Sequence, residues 1–130
     1  MNELSWDTFL SAIEDHRRPL VIQFLSRGSQ EGQRLEQPFY ELAEEFADMD
    51  FAVLDADLAP QAAWYTGLVT LPTFIAFHRG REVNRLHADY AKSDEQVRAF
   101  LHRVKDDVAP KGGQSQGVGP PGFEPGTNRL

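Results

Sequence analysis

Three apolar runs rich in strand-forming residues, LVIQFL at 20–25, FAVLDAD at 51–57 and TFIAFH at 73–78, are separated by stretches of helical periodicity. A fourth run, 82–88, follows the third after only the turn HRGR. This spacing restricts the fold more than any other feature of the chain. The first two runs, joined through a helix, are expected to lie parallel; the last two, joined by a tight turn, form an antiparallel hairpin. Trp6, Phe9, Leu10 and Ile13 recur at helical spacing and predict a helix over 5–15 with Ser5 as its N-cap. From Ser29 onward Leu35, Phe39, Leu42, Ala43 and Phe46 make one apolar stripe, with Glu41, Glu44 and Glu45 on the other face. The stripe keeps its phase across Pro38, so a kink is expected there and not a break. APQAAWYTGL at 59–68 reads as a short helix closed by Gly67, and Ser93 with Gln96 opens a last helix along Val97, Phe100, Leu101 and Val104. The order α, β, α, β, α, β, β, α specifies an α/β domain, a central mixed sheet flanked by helices on both faces.

The chain of 130 residues has room for one such domain, placed at 1–108. From Ala109 onward stand six of the ten glycines and four of the eight prolines, with almost nothing aliphatic to bury, so 109–130 is expected to be a disordered Gly/Pro-rich tail. Within it VGPPGFEPGT resembles the peptide read when an open reading frame runs through the T-arm of a transfer-RNA gene, from about Gly117 onward. The net charge is -7, and the tail, with Lys111 and Arg129 against Glu124, contributes none of that acidity. An acidic domain without a basic stripe argues against nucleic acid, whose affinity comes mainly from Lys and Arg. No apolar run approaches the roughly 20 residues that cross a bilayer, and a cytoplasmic protein with no membrane partner is expected. The chain contains no cysteine.

Residues 4–108 resemble a thioredoxin-fold domain whose short first strand is weak or missing. The resemblance rests on VIQF as the central strand, LDAD as the end of the next, and TLPTFIAFHRGREV as the cis-proline loop and hairpin. Laid against the family pattern, Ser29, Gln30, Glu31 and Gly32 occupy the positions of the Cys-x-x-Cys motif. The family's tryptophan before the motif becomes Gly28, its buried acid becomes Gln23, and the lysine partner of that acid becomes Val53. A thiolate is the nucleophile of disulfide exchange, and neither a hydroxyl nor an amide replaces it. Thiol–disulfide oxidoreductase activity is therefore excluded, no catalytic residue is assigned, and no cofactor is expected.

What the resemblance leaves is a docking edge. In the family the residue before the cis-proline, here Leu71 before Pro72, offers its N–H and C=O to an extended chain, a form of strand addition that needs no thiol. The peptide-binding set read from the sequence is Leu71, Pro72, Gly28 and Leu25, with Trp64 and Tyr65 able to widen an apolar patch. The leading expectation is a redox-inactive adaptor or chaperone-like module for extended or unfolded polypeptide, steered by its acidity towards basic segments. The Ser-Gln-x-x pattern also resembles chaperedoxins, and the acidic motif-less domain resembles hydrogenase-accessory proteins. Non-cysteine chemistry at Ser29 and a homodimer that covers the patch are further alternatives. Ser29 has no base placed beside it by sequence and reads better as an N-cap, with Glu31 complementing the helix dipole. Arg27 and Arg34 beside the free N–H groups give a minor anion-site reading. His16, His78, His87 and His102 lack metal-ligand spacing, and Asp55, Asp57, Glu44, Glu45 and Asp48 lack a calcium-loop pattern, so no metal is expected.

Overall fold

The computed structural model describes residues 1–15 and 17–109; the tail at 110–130 and His16 lie outside the described residues. Ten elements follow one another along the chain: β1 (Asn2–Leu4), α1 (Trp6–Asp15), β2 (Leu20–Leu25), α2 (Gln30–Ala43), β3 (Asp50–Asp55), α3 (Pro60–Thr66), β4 (Thr73–His78), β5 (Arg81–Leu86), a one-turn 3-10 helix at Ala88–Tyr90, and α4 (Asp94–Val108). The sheet order is β1-β3-β2-β4-β5. β2 lies parallel to β3 and antiparallel to β4, which turns into β5.

The first strand is a correction to the sequence reading. Asn2–Leu4 pairs in parallel with β3, Asn2 opposite Ala52 and Leu4 opposite Leu54. Three residues with one apolar side chain carry no periodicity, so only the edge of β3 reveals the strand. Ends also shift, and β5, read as 82–88, runs from Arg81 to Leu86. Asp57 donates its N–H to Asp55 Oδ1 (3.0 Å), which turns the chain out of β3 before residue 57. α2 stays one element across Pro38 but stops at Ala43, where Glu44, Glu45 and Phe46 donate to carbonyls three residues back and tighten the end. Phe46 is buried even so.

Side chains alternate across the sheet and fill two cores. Val21, Leu25, Val53, Phe74 and Ala76 pack under Phe39 and Leu42 of α2 and Phe100, Leu101 and Val104 of α4. Leu20, Ile22, Phe24, Leu54, Ile75 and Phe77 pack under Phe9 and Ile13 of α1 and Ala62 of α3. Every residue of β2 is buried, as a strand covered on both faces requires. The β4–β5 turn places Arg79 (φ 55°) and Gly80 (φ 83°) in left-handed conformation, which suits the twist of a two-residue hairpin. Ser93 caps α4 by accepting from the Gln96 N–H, while Gln96 Oε1 accepts from the Lys92 N–H (2.8 Å). The C-terminal ends of β2 and β3, the start of β4 and the end of β5 all meet at one end of the sheet. The loop entering α2 lies over that end.

Candidate functional site

The degenerate motif is a closed helix start. Ser29 Oγ accepts from the Gly32 N–H (3.0 Å) and donates to the Ser26 carbonyl (2.9 Å), which also accepts from the Ser29 N–H (3.1 Å). The hydroxyl proton is therefore held by a main-chain oxygen, and no base is hydrogen-bonded to it among the described residues. Ser29 is a cap, not a nucleophile. Gly32 is buried in the first turn, and a Cβ built on it would lie 2.1 Å from the Ser26 oxygen and 2.9 Å from its carbonyl carbon. The place of the second sulfur is thus filled by backbone. Gln30 and Glu31 are carried on the first turn of α2, pointing to no shared partner.

Around this loop runs a polar frame. Ser26 Oγ donates to Asp57 (2.5 Å), linking the loop to the turn after β3. Arg27 forks onto Glu36 of α2 (3.1 and 2.6 Å) and reaches Glu3 of β1, while Tyr40 donates to the same Glu36 (3.0 Å) and Gln33 Nε2 to the Arg27 carbonyl (2.8 Å). The hydrogen bonds from Arg27 hold the Glu36 carboxyl below its ordinary range, assisted by Tyr40 and opposed by burial. The same bonds raise Arg27. Burial and the Glu36 charge push Tyr40 up. Arg27 is engaged by Glu36 and Glu3, which leaves the anion-site reading without its first cation. Arg27→Met is expected to cost about 1–2 kcal/mol, as a half-exposed bidentate pair commands little more, measured by urea denaturation at pH 7. Glu36 titrates below its unfolded value when folded, so its contribution is present above the unfolded value and fades as pH falls through the folded one. The variant and the parent should therefore converge in strong acid.

Gln23 and Val53, the positions of the family's acid and lysine, sit side by side in the β2–β3 register. Gln23 is fully buried; its Nε2 donates to the Leu35 carbonyl (3.3 Å), and its Oε1 has no partner among the described residues.

The docking residues separate into two groups. The Leu71–Pro72 peptide bond is cis, Leu71 is half-buried, and neither its N–H nor its C=O meets a partner among the described residues. Thr73 Oγ1 donates to the Thr70 carbonyl (2.7 Å), and Arg85 of β5 donates to the Thr66 carbonyl (2.7 Å), so the loop between α3 and β4 is tied at both ends. Val69 (87% exposed), Trp64 (89%) and Leu58 (78%) stand in solvent on α3 and its flanking loops. Leu25 is corrected: it is wholly buried under α2 and α4, because odd-numbered residues of β2 face that core, and its side chain is closed to a partner. Pro72 is buried too, so only the main chain beside it is open; Gly28 is exposed, with Asp57 3.3 Å from where a Cβ would be. Tyr65 packs its ring on Trp6 and Phe9 of α1 while remaining 58% exposed. Sequence periodicity gave no sign that Leu58 and Val69 would be exposed; Gly67, closing α3 in left-handed conformation (φ 70°), turns the chain ahead of Val69, and the turn after β3, where the Leu58 N–H bonds to the Asp55 carbonyl, carries Leu58. Among the described residues no group of three His, Asp or Glu could hold a metal ion, and His102 packs against Phe46.

The sequence model of the family described as Thioredoxin matches residues 1–103. Thioredoxin H2 of Arabidopsis thaliana is 30% identical over 90 residues, 69% of this chain and 66% of that protein. Thioredoxin H8 of the same plant is 32% identical over 83 residues, 64% of this chain and 56% of that protein. The chain thus spans just under two thirds of the one relative and little over half of the other. The crystal structure of thioredoxin from Trypanosoma brucei brucei superposes with a TM-score of 0.69 at 20% identity, over 80% of this chain and 89% of that one.

Proposed function

Since this chain belongs to the thioredoxin family yet has no thiol with which to exchange a disulfide, we propose that it keeps the scaffold as a redox-inactive docking module for extended polypeptide. The observation that carries this reading is the pair of unpartnered main-chain groups at Leu71, two residues along the chain from the exposed side chain of Val69. An open N–H and C=O beside an apolar surface suit strand addition, in which the main chain supplies affinity and neighbouring pockets select side chains. Asp57 and Asp89 stand exposed at the same end, so segments that mix Lys or Arg with apolar residues fit best.

A fluorescein-labelled peptide alternating Val and Lys, titrated by anisotropy, tests the site. Leu71→Glu is expected to weaken binding at least about tenfold, since it sets a charge against an apolar contact. Because Leu71 is half-buried, Val69→Glu provides a fully exposed second variant with the same expected direction. Equal affinity for the parent and both variants, or no binding by the parent, overturns the reading. Sedimentation velocity distinguishes it from an obligate dimer, which would run as two copies at all concentrations.

A further inference from the structure

The end of the sheet opposite to the docking loop carries a group of arginines. Arg17, on the connection from α1 to β2, Arg79, on the β4–β5 turn, and Arg81, the first residue of β5, are all exposed, and none meets a carboxylate among the described residues. In a chain with 20 Asp and Glu against 13 Lys and Arg, unpaired arginines gathered in one place are unexpected. Elsewhere Arg27, Arg85, Arg98 and Lys105 each have a carboxylate partner, while Lys92 and Arg103 stand singly without one among the described residues. Of the nearby acids, Asp50 meets Arg18 (3.5 Å) and Glu82 meets Arg85 (2.6 Å), while Glu14, exposed beside Gly80, is the one acid that borders the arginines with no ion-pair partner among the described residues.

The two segments are held together by the fold. Gly80 donates its N–H to the Ile13 carbonyl (3.0 Å), His78 Nε2 donates to the Arg17 carbonyl (3.2 Å), and His78 stands opposite Arg81 in the ladder. The guanidinium groups therefore project from a braced base and not from free loops.

We propose that this pole is a docking surface for an acidic polypeptide segment. Planar guanidinium forks match carboxylates in paired hydrogen bonds, and a rigid base lessens the ordering cost of forming them. A long polyanion would run from the pole onto the acidic remainder of the domain, which disfavours nucleic acid. A lipid surface lacks an apolar anchor here, because the large exposed apolar side chains Leu58, Trp64, Tyr65, Val69 and Tyr90 belong to other parts of the surface. The pole lies at the far end of the sheet from Leu71, so an acidic partner held there leaves the other end open.

Labelled tetra-glutamate, short enough to stay on the pole, titrated into the full chain at about 20 mM salt and again at about 150 mM, tests the surface. Binding is expected at the lower salt and should weaken severalfold at the higher. Arg17→Glu and Arg81→Glu are each expected to reduce it at least about fivefold, while Lys92→Glu, the same charge change at the opposite end, changes it less than about twofold. Three results overturn the proposal: no binding by the parent, equal loss in all three variants, or tighter binding to phosphatidylserine vesicles than to the peptide. A sedimentation coefficient that climbs with protein concentration and is flattened by Arg81→Glu assigns the surface to a second copy instead, and also overturns it.

Discussion

Gly32→Ala is expected to destabilise the protein by about 3 kcal/mol, although the same change in an unobstructed helix gains up to about 1 kcal/mol. Gly32 lies in the first turn of α2 without a positive φ, so backbone freedom alone would favour alanine. Contact decides the sign. The new methyl carbon would meet the Ser26 oxygen at 2.1 Å, and that atom is main chain, fixed by its hydrogen bonds to Ser29. Guanidinium denaturation measures the loss, and a gain in stability would show that the loop yields freely. The corollary concerns chemistry. Ser29→Cys with Gly32→Cys rebuilds the motif in sequence, but the second sulfur has no room, Gln23 and Val53 supply no proton relay, and insulin reduction should stay at background. This fold has lost the space as well as the thiols.

Gln23→Glu should cost about 3 kcal/mol at pH 7, whereas Gln23→Met should be neutral or stabilise by about 1 kcal/mol. The amide is fully buried with one oxygen unpartnered, so methionine removes an acceptor that folding leaves unsatisfied and keeps the volume. A carboxylate in the same place has no cation beside it, because Val53 occupies the neighbouring register position. Burial raises the folded pKa of the new Glu above its unfolded value of about 4.3. Below that value the acid is protonated in both states and the deficit is small. As pH rises the unfolded chain ionises first, and stability falls by up to about 1.4 kcal/mol per pH unit until the folded pKa is reached. Denaturation curves at pH 4 and pH 7 measure the contrast; a Glu variant as stable at pH 7 as at pH 4 would mean that the carboxylate finds a donor.

Much of this was legible in the residue order. Phe9 and Ile13, Phe39 and Leu42, and Phe100, Leu101 and Val104 were readable as helix faces because a period of 3.6 survives without knowledge of the neighbours. Ser29 and Ser93 were readable as caps because a hydroxyl three residues before an open N–H is a local arrangement. The site was less legible. Leu25 looked available beside the motif, but exposure depends on which helix covers a strand face, and α2 and α4 both cover this one. The Arg27–Glu36–Glu3 cluster joins three elements over 9 and 24 residues of separation, beyond any local pattern. The arginine pole escaped the sequence reading for the same reason, since Arg17 and Arg81 meet only when the sheet brings two chain reversals together.

The order of residues by itself determined the succession of the four α-helices and of strands β2 to β5, the hairpin at Arg79–Gly80, and the impossibility of thiol exchange, because periodicity, turn stereochemistry and elemental composition are properties of short stretches or of the whole list. Tertiary structure alone decided that Gly32 backs onto a carbonyl, that Leu25 is sealed while Leu71 keeps its main chain open, and that arginines collect at one pole. Those outcomes depend on distances between segments far apart in the chain, and packing, not propensity, sets such distances.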